Sequence, residues 1–449
     1  MMRKFFVALL VGAVAVGLAA PAFAADLKFT GAYRLRFQVD KALPCFDSSA
    51  LAECDGHVFQ TRFRPQFDVE TDGGVKGVIR LEIGDLTFGD TAVLGRGATG
   101  GAGTDAVNIE TKWAYIDFPV PATPLRLRGG LQGFYLSKAI ILDDDLPGLS
   151  LYGKLGEANV NFWWARGNNA GAAVFAGTEA PANALVPAGV GSDGQDARDF
   201  YVIDVSLSPV KDLTLNAYVL YDHDMETPVT ATGEATTGTW FGVAGAGKVQ
   251  NIRWDLDFVY GSKETAAVGV DKKGYVIDGG VGMALPGSPL DLELRGWWAT
   301  GNEQNGGDNE GFPVPYSGAG DHNAKMQIWG GGGAVDINEL ANTPENTWGI
   351  GLIATWTASP ALKVRGNLHY IKTQEEGTAL LPSPAGEGNI SGVDSIGTEV
   401  GVQIDYTLYR GLVFTLIGAH LFLGDDTSIN GTTRYDDVTK IAGVLNYGF

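Results

Sequence analysis

Tyr435-Asp-Asp-Val-Thr-Lys-Ile-Ala-Gly-Val-Leu-Asn-Tyr-Gly-Phe449 closes the chain, and its reading decides the fold. As an extended strand it places Ile441, Gly443, Leu445, Tyr447 and Phe449 on one side. Lys440, Ala442, Asn446 and Gly448 fall on the other, a period of two that runs to an aromatic carboxyl terminus. One face suits hydrocarbon and the other water. Such a strand can span a bilayer only if every backbone N–H and C=O is paired, which requires a closed antiparallel transmembrane β-barrel whose last strand meets the first.

The same alternation recurs upstream. Leu27, Phe29, Tyr33, Leu35, Phe37 and Val39 oppose Lys28, Thr30, Arg34, Arg36 and Gln38; Phe59, Phe63, Phe67 and Val69 oppose Gln60, Arg62, Arg64, Gln66 and Asp68. Strands are predicted near 27–39, 58–70, 75–86, 107–118, 125–135, 149–155, 157–166, 199–208, 212–222, 239–247, 249–260, 274–285, 290–300, 346–357, 361–372, 395–408, 411–423 and 435–449. That is about eighteen. Sixteen is the alternative, because 149–155 and 157–166 are parted only by Gly156 and 239–247 is weak. Short connections such as Asp72-Gly-Gly74 and Pro286-Gly-Ser-Pro289 alternate with long polar ones, as expected for short periplasmic turns and long outer loops. The stretch 301–345 is read as one loop, with a small hairpin around Lys325 to Gly330.

Arg3 and Lys4 precede an apolar run from Phe5 to Ala20 and a Pro21-Ala-Phe-Ala24 site, so residues 1–24 are expected to be a cleaved signal peptide and 25–449 a single barrel domain. Export makes a disulfide between Cys45 and Cys54 the natural reading of the only two cysteines. A formal charge of −20 makes nucleic acid an unsuitable partner. No nucleophile with an activating neighbour stands out, and Gly330-Gly-Gly-Gly333 lacks the Lys and Ser/Thr of a phosphate loop, so neither catalysis nor a cofactor or metal is expected. Of the pairs Trp163-Trp164 and Trp297-Trp298, one member each should face the lumen.

Arg34, Arg36, Arg62, Arg64, Arg80, Arg126 and Arg128 all fall at inward positions of strands one, two, three and five, forming a basic wall. After strand five comes Ser137-Lys-Ala-Ile-Ile-Leu-Asp-Asp-Asp-Leu-Pro-Gly148, whose Ala139 to Leu142 is too apolar for an exposed loop. Folded inward, it would pack on the wall and aim Asp143, Asp144 and Asp145 at the arginines. A barrel this wide is not filled by its own side chains, so a water-filled channel follows.

These features, with the terminal Asn446-Tyr-Gly-Phe449 and Gly129-Gly-Leu-Gln-Gly-Phe-Tyr135, resemble the Gram-negative outer-membrane porins over the whole mature chain. The resemblance implies a homotrimer, an eyelet of those aspartates and seven arginines, an assembly role for Tyr447 and Phe449, and diffusion of small hydrophilic solutes and ions. A substrate-selective channel for oligosaccharides or carboxylates is the alternative, ahead of an outer-membrane enzyme or an electron-conduit sheath.

Overall fold

A computed structural model describes residues 25–41, 56–91, 100–102, 108–169, 197–225, 235–264, 271–302, 309–315, 325–329, 344–375, 395–424, 428–429, 433–434 and 437–449. The expected signal peptide and Cys45 and Cys54 lie outside the described residues.

Eighteen antiparallel strands form one closed sheet. In chain order they are β1 (Ala25–Lys41), β2 (Gly56–Thr71), β3 (Lys76–Thr87), β4 (Ile109–Pro119), β5 (Leu125–Leu136), β6 (Leu142–Leu155), β7 (Ala158–Asn169), β8 (Ala197–Val210) and β9 (Leu213–Asp224). There follow β10 (Thr236–Val249), β11 (Ile252–Glu264), β12 (Asp271–Ala284), β13 (Leu290–Ala299), β14 (Thr347–Ser359), β15 (Leu362–Thr373), β16 (Ser395–Tyr409), β17 (Leu412–Leu423) and β18 (Val438–Gly448). A two-residue pairing of Ser428–Ile429 with Thr433–Arg434 stands apart. Each strand pairs with its neighbours in sequence. The ring closes where β1 meets β18, from Ala32↔Gly448 to Lys41↔Thr439.

The alternation that defines the strands also sorts their faces. In β1 Leu27 and Phe29 are 67% and 50% exposed on the outside, whereas Arg36 and Gln38 are 3% and 0% exposed within. The outside is an apolar belt with aromatic rims. Phe29, Phe67 and Phe449 cluster at the end carrying both termini and the short turns, and Trp298, Trp348 and Tyr370 at the end carrying the long connections. At the terminus Phe449 exchanges two backbone hydrogen bonds of 3.1 Å with Gly31, which seats its ring 5.4 Å from Phe29 and 6.1 Å from Phe63.

β6 and β7 are separate strands, joined at Gly156-Glu157, where Gly156 takes the left-handed conformation (φ +62°) that a two-residue hairpin turn requires. The largest boundary difference from the sequence reading is at β6. β6 begins at Leu142 and not near 149, because residues 142–148 pair with β5 from Leu136↔Leu142 to Gly130↔Gly148. Asp143, Asp144 and Asp145 therefore belong to a strand rather than a loop.

Candidate functional site

The inner wall is narrowed where β5 and β6 leave it. The last β4–β5 pair is Ala114↔Leu131 and the first β6–β7 pair is Gly148↔Ala165, yet β5 and β6 stay paired with each other as far as Leu136↔Leu142. The end of this hairpin has lost both outer neighbours and is a free two-stranded ribbon. Gly148 permits the departure: a Cβ there would lie 2.9 Å from Ala165 Cα and from the Phe134 ring. The tip, Ser137–Ala139, is a 3-10 turn with Lys138 and Ala139 at φ 51° and 62°.

The ribbon's two faces differ. Phe134, Leu136, Leu142 and Leu146 share one, and Gly133, Tyr135, Asp143 and Asp145 the other. The first face, with Ile140 and Ile141 of the tip, is shielded against inward side chains of β8 to β12, among them Phe200, Leu220, Trp240 and Val276. Burying a side chain of this size is worth about 1.5–3 kcal/mol, so the apolar run commits the ribbon to that wall. Trp163 lies beneath it, its ring 4.6 Å from that of Phe134.

Charge fixes the tip. The Lys138 ammonium lies 2.9 Å from Asp278 Oδ1 and 2.5 Å from Asp255 Oδ2, and also bonds Asp257. These carboxylates belong to β11 and β12, on the far wall. Their oxygens converge to within 4.8 Å of one another, a spacing that could hold a metal ion, and the ammonium takes that place. Burial alone would pull the Lys138 pKa down; Asp278 and Asp257 outweigh it and hold the pKa above the ordinary lysine value.

The open face is charged. Asp145 accepts a hydrogen bond from Trp113 Nε1 at 2.6 Å and pairs with Lys112 at 2.6 Å, and the Arg80 guanidinium stacks over the Trp113 ring at 4.5 Å. Asp143, Asp144 and Asp145 share a cleft of about 500 Å³ with Arg62, Arg64 and Arg80. The other four arginines sit elsewhere. Arg34 and Arg36 are buried and converge with Arg62 on Asp85 at 2.9, 3.5 and 3.8 Å. Arg126 and Arg128 are held by Asp117 at 2.7 and 2.9 Å, toward the short-turn end. Arg64 pairs with Glu82. Three guanidiniums facing one carboxylate, and two facing another, leave this wall with a positive surplus. The far wall gathers Asp255, Asp257, Asp278, Asp291 and Glu293 around Lys138, Arg253, Arg295 and Lys325, one more anion than cation.

A second segment fills the bore on the β13–β18 side. The Glu399 carboxylate on β16 accepts the backbone N–H groups of Gln327, Ile328 and Trp329 at 2.7, 3.1 and 2.9 Å, and Lys440 donates to the Gln327 carbonyl at 2.9 Å. Met326, Ile328 and Trp329 are shielded in a cluster with Trp297, Ile371 and Leu421. Of the hairpin expected around Lys325 to Gly330, the described residues 325–329 form a turn and bends whose N–H groups converge on one carboxylate; Gly330 lies outside the described residues. Residues 309–315 also turn inward: Pro313 accepts the Trp240 Nε1 hydrogen at 2.8 Å and Pro315 accepts from Arg198. The expected inward members of the tryptophan pairs, Trp163 and Trp297, do face the interior, 5% and 4% exposed. The roles of Lys138, the Asp255-Asp257-Asp278 group and Glu399 escaped sequence reasoning.

No protein-family model matches the chain, and no curated protein resembles it in sequence. Solved structures do match. The structure of Pseudomonas aeruginosa OpdK with vanillate superposes with a TM-score of 0.57 at 10% identity, covering 94% of this chain and 98% of that one. Pseudomonas aeruginosa OccK2 (OpdF) gives 0.56 at 12% identity over 94% and 98%, and OccK11 (OpdR) 0.55 at 13% over 94% and 96%. At such identity the likeness lies in the fold: this chain and the three proteins share one barrel architecture.

Proposed function

We propose that this chain is a channel of a Gram-negative outer membrane that passes small hydrophilic solutes and ions by passive diffusion, with the β5–β6 ribbon setting its aperture. The observation that carries this reading is the closed ring with its apolar outside and charged inside, crossed by a ribbon welded to one wall and facing a charged cleft on the other. In the proposed neck Asp143, Asp144 and Asp145 stand against Arg62, Arg64 and Arg80. Opposed charges in a narrow, partly low-dielectric passage create a transverse field that orients water and polar solutes and disfavours apolar ones. Arg34, Arg36, Arg126 and Arg128 extend the positive wall above and below it.

A solute-selective channel is the second reading. The surplus of guanidinium on the β1–β5 wall favours it, as does the fold shared with a protein whose structure was solved with vanillate. An enzymatic role is not proposed. The export signal in residues 1–24, the Cys45–Cys54 disulfide, the homotrimer and the assembly role of Tyr447 and Phe449 belong to the same proposal. Light scattering of the detergent-solubilised protein gives the subunit number directly.

Purified protein in a planar bilayer tests the reading. Stepwise ohmic conductance in potassium chloride is expected, with current reduced by small solutes added to either side. A folded barrel that gives no conductance would refute it.

A further inference from the structure

On the short-turn side of the ribbon the lumen holds a second hollow, of about 450 Å³, whose chemistry differs from that of the charged cleft. Uncharged hydrogen-bonding side chains dominate its lining, Gln132, Ser150, Tyr152, Asn159, Asn161 and Ser206, beside the largely exposed Lys154, whose ammonium lies 3.8 Å from Glu157. They are set in place by one another. Ser150 donates to Gln132 Oε1 at 3.1 Å, Gln132 donates to the Gly148 carbonyl at 3.1 Å, and the Tyr152 hydroxyl is bound by Asp117. Arg128 at the edge has its charge answered by Asp117 and lies over the Tyr152 ring at 5.0 Å. Asp204 has no such answer. One of its oxygens accepts from Asn216 at 2.6 Å, and among the described residues no cation pairs with it. Among the described residues Asn161 Oδ1 has no hydrogen-bond partner either.

We infer that this hollow is a binding subsite for a neutral polyhydroxylated solute of monosaccharide size. The inference rests on the channel reading for its access but not for its chemistry. A hydroxyl both donates and accepts, so adjacent hydroxyls of a polyol can give two hydrogen bonds to the Asp204 carboxylate while the Asn159 and Asn161 amides and the Ser150 and Ser206 hydroxyls serve the rest. The Tyr152 ring gives the C–H face of a sugar an apolar surface. The Asp204 carboxylate disfavours an anionic solute, since Arg128 and Lys154 are each answered by a carboxylate of their own. A site whose buried polar groups need partners discriminates strongly against analogues lacking the hydroxyls. Positioned after the charged cleft, it would sort solutes by hydroxyl content once the neck has sorted them by size and charge.

Two readouts test the inference on the full-length folded barrel. Glucose is expected to block single-channel current saturably and to bind the detergent-folded protein in equilibrium dialysis, a measurement that needs no conduction. Asp204→Leu and Asn161→Leu should each raise the half-blocking concentration about tenfold, as loss of one polar partner does. Asp204→Asn and Asn161→Ser, which keep the size or polarity of the site, guard against misfolding and should show smaller shifts in the same direction. A conducting wild type with neither block nor binding by glucose would overturn the subsite and leave the channel reading standing. Block by tetramethylammonium in place of glucose would also overturn it, since the unpaired carboxylate would then be a cation site. Dialysis binding by a barrel that never conducts would sustain the subsite while the channel reading failed.

Discussion

Two of the inward segments, the β5–β6 ribbon and Lys325–Trp329, narrow this barrel by opposite means. The β5–β6 ribbon is regular: it keeps its own ladder, buries an apolar face, and fixes its tip to the carboxylates of β11 and β12 through Lys138. The Lys325–Trp329 segment has no ladder and hangs from one buried carboxylate that takes three successive backbone N–H groups. The difference teaches where each device is weak. Unpaired backbone in a lumen must find partners, and Glu399 supplies them for a whole segment. The ribbon has already met that need, so its ionic tie sets position more than stability.

The largest effect should therefore come from Glu399→Ala. Three buried N–H groups would lose their acceptor, and leaving a buried donor unsatisfied costs about 1–3 kcal/mol for each. Thermal unfolding in detergent should move markedly lower, and open-channel conductance should rise as the segment leaves the bore. An unfolding midpoint and conductance matching wild type would show that Glu399 does not hold it.

Lys138→Met should act mainly on conduction. The apolar face remains, but Asp255, Asp257 and Asp278 lose the ammonium between them and repel one another, so current should rise by about twofold and lean toward cations. Lys138→Arg should restore most of the wild-type behaviour. Equal conductance and reversal potential in Lys138→Met would mean that apolar packing alone positions the tip.

Asp145→Asn should be milder still, since Asp145 is already paired with Lys112 and Trp113. Neutralising it is expected to move the reversal potential in a salt gradient by a few millivolts toward anion preference, through the local field in the cleft. A shift toward cations would contradict the placement of this face in the neck. The smallest effect should be that of mild alkali. Because the Lys138 pKa is raised, its tie is complete below the ordinary lysine value of about 10.4 and fades only as pH climbs past the raised value. Conductance should stay level from pH 7 to about pH 9; a rise within that span would mean that the ammonium is less well held.

The strands were legible because lipid on one side and water on the other impose alternation residue by residue, and even the weak 239–247 stretch falls inside β10. The inward turn after strand five was legible for a similar reason, since Ile140, Ile141 and Leu142 have no place on an exposed loop. Its strand character was hidden. Asp144 lies on the apolar side of the ribbon between Leu142 and Leu146, so three consecutive aspartates cancel the period of two. Lys138 could not be matched to Asp278 from sequence, because 140 residues and six strands separate them. Nor does anything in Lys-Met-Gln-Ile-Trp mark a segment folded onto a glutamate 70 residues away, since Glu399 reads as one more inward polar position of its strand. Alternation reports which medium a face meets and is silent about which side chains meet across a lumen.

The central claim is that the ribbon from Gln132 to Leu146 crosses a water-filled bore and sets its width. Its most direct test is single-channel conductance of a barrel in which residues 134–144 are replaced by Gly-Gly, compared with the intact chain in the same membrane and salt. A conductance several-fold higher, with weaker discrimination among solutes of different size, is the result expected for a ribbon that sets the neck. Identical conductance in the two proteins would contradict it.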